Sequence, residues 1–417
     1  MNKSLIAVAV LGAFAGTAMA ADVTLYGIAD TGLVYNSHGK TPTWTKANKD
    51  KAQTGKWGVT AKKTHSFEMK SGTESGSRWG LKGVEDLGNG LKVGFILENG
   101  FNTDDGTLGN DNRLFGRESR VYIDSPYGRL SFGRLGALMG GANGGLIGNI
   151  SALGTSWSDN SAQIEYMVKG AGRVDNAVEY QTPTFAGLTG YVQYSMKKDT
   201  VKGSGTENKT DADRYLAGAV TYKNGPINGV LIVDSTFFKT HDGKDRLHAA
   251  HDKSLGVALG GSYDFGVAKV YLGGKYFQNE AGGSFNKKVS EYGDFTSGGI
   301  THSGMLLDRD HKGWMVTLSA SAPVYGGTLI GGVAYTAAKN TNDVNAGDPK
   351  DTDDYKDFKF KRLAATVEYD YPLSKRTNIW VLGAVGKDKL ENMPIDGKLQ
   401  EEKPTFWKVG VGLRHKF

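Results

Sequence analysis

The chain has 417 residues, of which 60 are glycine, 9 are proline and none is cysteine. Its mean hydropathy is -0.39 and no long apolar run follows the first twenty residues. A bundle of membrane-spanning helices is therefore excluded, since each needs about 20 consecutive apolar residues. The net charge of +6 and the pI of about 9.0 suit contact with anionic lipid headgroups. The lack of cysteine excludes disulfides.

The first twenty residues have the organisation of an export signal. Lys3 supplies the positive charge, an apolar stretch follows, and small residues precede a cleavage site before Ala21. A single membrane anchor is the alternative, but the stretch is short for one and strand-like residues follow at once. The sequence predicts a signal peptide at 1–20 and one mature domain at 21–417.

From residue 21 onward, strand-like segments come in pairs, separated by polar connections of two lengths. Short connections rich in Gly, Pro, Asn or Asp, which favour tight turns, lie at 86–90, 125–128, 182–187, 223–228, 264–266, 323–327 and 372–377. Longer connections lie near 36–75, 102–115, 136–172, 198–213, 239–254, 278–311, 339–359 and 387–404. Fifteen connections imply sixteen strands, and an even number returns both chain ends to the same side, as in single-chain outer-membrane barrels.

The strand-like segments have two chemically different faces. In the last one, Val409, Val411, Leu413 and Phe417 share a face, while glycine and basic residues occupy the other. A β-sandwich also fits such alternation. Aromatic residues near segment ends, one-sided turn lengths and unbroken hairpin order favour a closed barrel, which leaves no edge strand exposed. The sequence predicts an all-β, 16-stranded antiparallel transmembrane β-barrel with short periplasmic turns and long extracellular loops.

Six segments resemble one known family, the general diffusion porins of Gram-negative bacteria. They read DVTLYGIADTGLVY from 22, SRWGLKGVEDLGNGLKVGFILENGF from 77, LFGRESRVYIDSPYGRLSFGR from 114, RVDNAVEYQTPTFAGLTGYVQYS from 173, YDYPLSKRTN from 369 and VGLRHKF from 411. The resemblance implies a sixteen-stranded barrel that forms a homotrimer in the outer membrane, contacts its lipid and lipopolysaccharide, and passes small hydrophilic solutes and ions without energy input. It also implies that the last strand closes the barrel against the first, and that Phe417 helps the barrel-assembly machinery to recognise the chain.

The third long connection, residues 136–172, is too long for an ordinary connection, and such lengths are usually functional or disordered. It is rich in glycine, which tolerates the backbone angles and close approaches of a segment folded against a wall. The resemblance implies that this segment folds into the lumen and forms the pore constriction. From the residues alone, an external loop remains an equal alternative.

The resemblance also implies a ladder of basic residues on the wall opposite that loop. Arg78 shares a face with Lys82, provided that the intervening Trp79 and Leu81 point to lipid. Arg117 is predicted to belong to this ladder, but its face continues into apolar residues, so Arg120 is an alternative to it.

Arg173 completes the predicted ladder. Strand alternation places it on one face with Asp175 and Glu179, opposite Val174, Val178 and Tyr180. A solvated wall charge is the alternative reading of this arginine and of those in the preceding strands.

Acidic partners for these arginines are expected in the third loop, where Asp159 and Glu165 are the two acidic residues. A fixed positive edge facing a weakly acidic loop raises the local anion concentration. We therefore expect a weak preference for anions.

Arg134 falls on a face with Leu130 and Phe132, which is predicted to point outward. An arginine facing lipid is costly at the bilayer midplane. A neighbouring subunit would remove this cost, so Arg134 is predicted to lie at the trimer interface.

Two rival functions remain open. A substrate-specific channel would need a binding track, but the third loop has only Trp157 and Tyr166 as aromatic residues. An outer-membrane enzyme would need a catalytic cluster, and no Ser-His-Asp set is visible in the sequence. The sequence predicts neither a cofactor nor a metal site, and no nucleic-acid partner.

Overall fold

The computed structural model describes residues 23–45, 58–140, 145–153, 172–239, 253–280, 295–297, 300–302, 311–340, 359–395 and 398–417. One 3-10 helix spans Ile147–Ile150. The strands are β1 (Thr24–Thr45), β2 (Gly58–Ser71), β3 (Arg78–Gly88), β4 (Leu91–Gly100), β5 (Glu118–Ser125), β6 (Gly128–Gly136), β7 (Arg173–Gln181), β8 (Leu188–Ser195), β9 (Arg214–Asn224), β10 (Ile227–Phe237), β11 (Leu255–Asp264), β12 (Lys269–Gln278), β13 (Phe295–Ser297), β14 (Ile300–His302), β15 (His311–Val324), β16 (Gly327–Asn340), β17 (Lys359–Pro372), β18 (Thr377–Ile395), β19 (Lys398–Glu402) and β20 (Thr405–Lys416).

Eighteen of these strands form one antiparallel sheet that closes on itself. β2 and β3 both pair with β1, and β19 and β20 both pair with β18, so the eighteen strands fill sixteen places around the ring. β20 pairs with β1 from Ile28 opposite Lys416 to His38 opposite Phe406. The remaining two strands, β13 and β14, form a separate hairpin. The predicted sixteen-stranded barrel is confirmed.

The short connections lie where the sequence predicts them, and all seven are at the same end of the barrel. Several place a residue at positive φ, as at Asn89 (53°), Ala186 (48°) and Tyr325 (45°). Glycine follows each of these residues, also at positive φ, which is the backbone pattern of tight hairpin turns. The long connections lie at the opposite, extracellular end.

The two faces of each strand meet different surroundings. On β17, Leu363 is 60% exposed and Val367 is 52% exposed, whereas Ala364 between them is 3% exposed. Large apolar side chains with such high exposure recur on alternate residues of nearly every strand, and they form the outer surface of the ring. Lipid removes these groups from water, so the exterior is stable only in a membrane. Among the described residues, no helix is long and apolar enough to span a bilayer.

The closing seam is packed by one tryptophan. Trp380 of β18 is fully buried on the inner face, and its indole lies on the inward sides of Gly32, Gly410 and Gly412. A Cβ atom at Gly412 would lie 2.1 Å from the ring, so the ring can lie flat only because glycine occupies this position. Asp30 of β1 accepts a hydrogen bond from the indole nitrogen (Nε1 to Oδ1, 3.2 Å). This hydrogen bond thus connects β1 to β18 across the intervening strand β20.

Phe417 ends the last strand beside the first. Its backbone exchanges two hydrogen bonds with Gly27, of 3.0 and 3.1 Å, and its ring covers that glycine. The predicted closure of the barrel by the terminal strand is therefore confirmed. Residues 1–20, where a signal peptide is predicted, lie outside the described residues.

Part of the third long connection lies inside the barrel. Leu138, Met139, Ile147 and Ile150 are at most 2% exposed. They share one hydrophobic cluster with inward-facing residues of the wall, among them Val230, Ile232, Ala258 and Met315. The rest of this segment, residues 141–144 and 154–171, lies outside the described residues.

Two wall glycines make room for the 3-10 helix. Gly260 of β11 and Gly273 of β12 both face Ile150, and a Cβ atom at either would come within 2.8 Å of its side chain. Real Cβ contacts are not that short. The helix therefore packs against the backbone of the wall at a distance that only glycine allows. Beyond it, Ser319 of β15 accepts a hydrogen bond from the backbone of Ala152 (N to Oγ, 2.9 Å).

Candidate functional site

Arginines gather on the inner face of strands β3 to β7. Arg117 donates from Nε to Oε1 of Glu98 at 2.7 Å, and the hydroxyl of Tyr26 donates to Oε2 of the same carboxylate at 2.9 Å. Arg78 is attracted by the carboxylate of Glu98 and repelled by the guanidinium group of Arg117. Charge-assisted hydrogen bonds of this kind hold the side chains in fixed positions. Two of the predicted wall arginines are thus brought together.

The structure resolves the alternative between Arg117 and Arg120 by placing both inside. Arg117 precedes β5, so strand alternation does not fix its direction, and its side chain lies against Gly76 and Gly100. Arg120 has the inward parity of Tyr122 and forms an ion pair with Glu118 (Nε to Oε1, 2.8 Å).

Arg173 donates from Nε to the backbone oxygen of Arg117 at 2.8 Å. It therefore joins the same group, and we call Arg78, Arg117, Arg120 and Arg173 the arginine wall. The prediction that Val174 lies on the face opposite Glu179 is nevertheless wrong. Val174, predicted to point outward, is fully buried in the lumenal cluster, whereas Tyr180 points out.

A β-bulge causes this change of face. Asn176 has a φ of 48°, and the register with β6 shifts between Gly133 and Leu135. The extra residue breaks the alternation along β7, so that Val174 lies on the lumenal side together with Glu179. Asp175 and Glu179 consequently contact different partners. Asp175 pairs with Arg113 at 2.8 Å, and Glu179 accepts a hydrogen bond from Gln193 at 2.7 Å.

Lys82 lies apart from the arginine wall. It is four residues farther along β3, a distance of about 13 Å along a strand. Its ammonium group lies 5.3 Å from the centre of the Tyr26 ring, and its side chain is exposed. Lys82 is therefore a lumenal charge nearer to the short-turn end.

The carboxylates that pair with the arginines come from the wall itself. Glu98 and Glu118 lie directly opposite each other on β4 and β5, and both are at most 5% exposed. Two like charges in directly opposite positions destabilise a sheet, so the neighbouring guanidinium groups are needed to stabilise them. Sequence reasoning missed both residues. Asp159 and Glu165, the predicted partners, lie outside the described residues.

The arginine wall faces the wall that carries the third loop. β3, β4 and β5 occupy the second to fourth places of the ring, and β11, β12 and β15 occupy the tenth to twelfth. Eight places separate the two groups in a ring of sixteen, so they lie on opposite sides of the lumen. The lumen between them is bounded by the arginine wall on one side and by the 3-10 helix of the loop on the other.

Comparison with known proteins identifies the family. The model of the Gram-negative porin family matches residues 7–392. An outer membrane porin protein of Bordetella pertussis is 32% identical over 428 residues, with 100% of both chains covered. Outer membrane porin protein 32 of Delftia acidovorans is 31% identical, again with 100% of both chains covered.

The chain belongs to the Gram-negative porin family.

A solved anion-selective porin from Comamonas acidovorans has the same fold, with a TM-score of 0.58, 24% identity, and coverage of 95% of this chain and 100% of that chain. The predictions of a diffusion porin and of an outer-membrane location are confirmed. Family and fold point to a channel rather than to an enzyme.

A second basic group of the porin lies beside the closing seam. Arg414 of β20 pairs with Glu74 and Asp370, the latter at 3.2 Å, and donates from Nε to Asn378 at 2.7 Å. Glu74 belongs to the connection between β2 and β3, whose backbone also donates to Asp30 (Ser75 N to Oδ2, 2.6 Å). This arginine is balanced by its carboxylate neighbours, so it adds little net positive charge to the lumen.

Arg134 has partners within the porin chain. It pairs with Asp175 and donates from Nε to the carbonyl oxygen of Gly116 at 2.8 Å. Asp175 also accepts two hydrogen bonds from Thr200, of 2.7 and 2.8 Å. The cost of an outward arginine is thus reduced without a neighbouring subunit, although the trimer-interface role of Arg134 stays a prediction.

The root of the third loop is tied to the wall by a buried polar chain. The backbone of Met139 hydrogen-bonds to the hydroxyl of Tyr215, which donates to Asp234 at 3.0 Å. Lys275, whose side chain is fully buried, donates to Glu280 at 2.7 Å and attracts Asp234. We call Tyr215, Asp234, Lys275 and Glu280 the loop clamp. Sequence reasoning missed it because its members come from three different strands and one connection.

Proposed function

We propose that this general diffusion porin prefers anions weakly, and that the arginine wall sets this preference. The observation that carries the proposal is the collection of four guanidinium groups on one wall, where Arg117 pairs with Glu98, Arg120 pairs with Glu118 and Arg173 donates to a backbone oxygen. Guanidinium groups stay charged at any working pH. A fixed positive field across a narrow aqueous gap raises the local concentration of anions. The anion selectivity named for the Comamonas porin is consistent with this proposal.

The third loop supplies the opposite side of the proposed constriction. Residues 145–153 lie inside the barrel against the opposite wall, which supports an inward course for the whole segment 136–172. Asp159 and Glu165 follow this part of the loop in sequence, and we assign them the acidic side of the field. Lys82 is assigned a weaker role at the short-turn end of the lumen.

Ion selectivity in planar bilayers tests the proposal. Under a potassium chloride gradient, the reversal potential of the wild type should have the sign of an anion preference. The variant Arg78→Gln/Arg120→Gln should shift it toward cations, and Asp159→Asn/Glu165→Gln should shift it toward anions. Lys223→Gln/Lys375→Gln, on two short turns, removes the same charge as the first variant and should leave it unchanged. A clear cation preference of the wild type would contradict the electrostatic assignment.

The porin is proposed to work as a homotrimer, since porins of this kind are generally trimeric, with Arg134 at the subunit contact. Arg134→Ala should then convert trimers to monomers on unheated gels. Arg129→Ala removes an arginine of the same strand that pairs with Asp124 at 2.6 Å, and serves as the control. Unchanged trimers in Arg134→Ala would count against the contact.

Export and assembly complete the proposal. Residues 1–20 act as a cleaved signal peptide, so the N-terminal sequence of the purified protein should begin at Ala21. Phe417 acts as the recognition signal for the barrel-assembly machinery. Phe417→Ala should therefore lower the amount of porin in outer-membrane fractions, while Leu413→Ala on the same outward face should not. The channel carries small hydrophilic solutes and ions without a catalytic step or a cofactor.

A further inference from the structure

The chain leaves the barrel wall between β2 and β3 and returns to it after six residues. β2 pairs with β1 as far as Ser71, and β3 pairs with β1 from Arg78 onward. Along β1, only two residues lie between the partners of Ser71 and Arg78. Six residues cannot fit into two places of a ladder, so they have to leave the plane of the sheet. We call residues 72–77 the lumenal turn.

The two ends of the lumenal turn lie side by side. A Cβ atom at Gly72 would be 2.9 Å from Cα of Gly76, and Gly72 has a φ of 67°, which favours glycine. Ser77 closes the gap in the sheet, since its hydroxyl accepts from the backbone nitrogen of Asp30 at 3.1 Å and donates to the carbonyl oxygen of Asp30 at 3.0 Å. The wall is therefore continuous behind the turn, and the extra residues form a compact projection.

The lumenal turn projects into the barrel, because its partners lie on the inner face. The backbone nitrogens of Glu74 and Ser75 donate to the carboxylate of Asp30 at 3.1 and 2.6 Å. This carboxylate is fully buried and also accepts from the indole of Trp380. The side chain of Glu74 pairs with Arg414 of β20. The turn is thus held against the closing seam from two sides.

The lumenal turn also contacts the arginine wall. A Cβ atom at Gly76 would lie 2.9 Å from Nη1 of Arg117, so this guanidinium group packs against the bare backbone of the turn. Arg78 follows the turn directly in the sequence, as the first residue of β3. The conformation of the turn therefore affects the positions of two of the four arginines.

We infer that the lumenal turn is a second segment that narrows the pore, and that Asp30 is the residue that positions it. The turn limits the lumen between the closing seam and the arginine wall, and it holds Arg117 and Arg78 in place. It projects from the second place of the ring, whereas the 3-10 helix of the third loop packs against the tenth and eleventh places. The pore is thus narrowed by chain segments on opposite sides, and such constrictions limit what passes.

The inference rests on the channel function of the porin and not on its ion preference. Single-channel conductance reports the open cross-section, whereas the reversal potential reports selectivity. A cation preference of the wild type would contradict the proposed electrostatics and would leave the lumenal turn in place.

Cysteine modification tests whether the turn lines the pore. The chain has no cysteine, so Ser75→Cys introduces a single thiol at a half-buried position of the turn. Reaction with a methanethiosulfonate reagent that carries a sulfonate should lower the single-channel conductance in planar bilayers, because the added group occupies the lumen. Met69→Cys, on the outward face of β2 and 57% exposed, should keep its conductance after the same reaction. A conductance of Ser75→Cys that the reagent leaves unchanged would overturn the inference.

A shortened turn tests the same point without a label. Because Gly72 and Gly76 are adjacent, deletion of residues 73–76 lets the chain run directly from Gly72 to Ser77. The shortened porin should have a higher single-channel conductance than the wild type. An equal or lower conductance would show that the turn does not narrow the pore.

Two substitutions of Asp30 separate position from charge. Asp30→Asn and Asp30→Ala remove the same charge, but only asparagine keeps a side-chain oxygen that accepts hydrogen bonds from the turn. The conductance of Asp30→Ala should therefore depart from that of the wild type more than the conductance of Asp30→Asn does. Equal changes in the two variants would exclude a positioning role of Asp30. Heat-modifiable migration on gels verifies that each variant is a folded barrel.

Discussion

The arginine wall and the wall that carries the third loop face each other, yet different groups fill their inner faces. On the first, arginines and glutamates are held by charge-assisted hydrogen bonds. On the second, Val230, Ile232 and Ala258 pack against the apolar residues of the loop, above glycines that allow close approach. Charge acts over distance, whereas packing acts only on contact. Selectivity and loop position should therefore respond to different substitutions.

The largest effect is expected where packing is disturbed. Gly273→Ala places a Cβ atom 2.7 Å from the side chain of Ile150, so the 3-10 helix must move away from the wall. We expect a severalfold change in single-channel conductance with little change in the sign of ion preference. Planar bilayer recordings check this.

Gly331→Ala is the matched control for Gly273→Ala, because a Cβ atom there meets its nearest neighbour at 3.7 Å, an ordinary contact. The proposed separation of the two walls would be wrong if Gly273→Ala altered ion preference as strongly as conductance.

Removal of one charge from the arginine wall should have the next largest effect. Arg117→Gln removes the guanidinium that donates at 2.7 Å to the carboxylate of Glu98, which is 5% exposed. Breaking a buried ion pair in this way costs about 3 to 5 kcal/mol of stability. We expect a lower midpoint of denaturant unfolding together with a weaker anion preference. Lys82→Gln, with an exposed side chain, should change the unfolding midpoint little; equal losses in both would argue against a buried pair.

The loop clamp gives a smaller and more local effect. Tyr215→Phe removes only the hydroxyl that joins Met139 to Asp234. A buried group left without its partner costs about 1 to 3 kcal/mol. We expect frequent brief changes of current level in single-channel recordings, because the root of the loop is released. Tyr222→Phe, near a short turn of the same strand, should show no more brief changes of current level than the wild type does. Single-channel recordings of Tyr215→Phe without such changes would show that the loop clamp does not hold the root of the loop.

The smallest effect on conductance is expected at the hydrogen bond between the loop residue Ala152 and Ser319 of β15. Ser319→Ala removes the acceptor of the hydrogen bond from Ala152, a loss of about 1 kcal/mol. Conductance should change less than in Gly273→Ala, since apolar packing around Ile150 remains. Ser321→Ala on the same strand is the comparison. A conductance change larger than that of Gly273→Ala would reverse the ranking of packing over hydrogen bonding on this wall.

The strands and turns could be predicted from the sequence because their signals are local. Alternate apolar residues indicate strands, and glycine, asparagine and aspartate mark the turns that return the chain. The position of residues 145–153 inside the barrel could not be predicted in this way. It depends on contacts such as that of Ile150 with Gly273, which lie far apart in the sequence.

The predictions for the residues of the candidate site were partly wrong for a similar reason. A bulge at Asn176 brings Val174 to the lumenal side, opposite to its predicted face, and no residue pattern in that segment predicts the bulge. Glu98 and Glu118 meet only because of the register between β4 and β5. The inward direction of Arg117 could not be predicted from alternation because this residue precedes its strand. Register and bulges are set by the closed sheet, so a pattern read along one segment does not contain them.

The seam between β1 and β20 joins residues separated by almost the whole chain, from Gly27 to Phe417. Loop-closure entropy opposes such a distant pairing until the other strands have brought the two ends together. A chain cut short of this pairing presents two unpaired strand borders, each able to add a strand from another molecule. Protection against self-association is therefore acquired only when the last hydrogen bonds form.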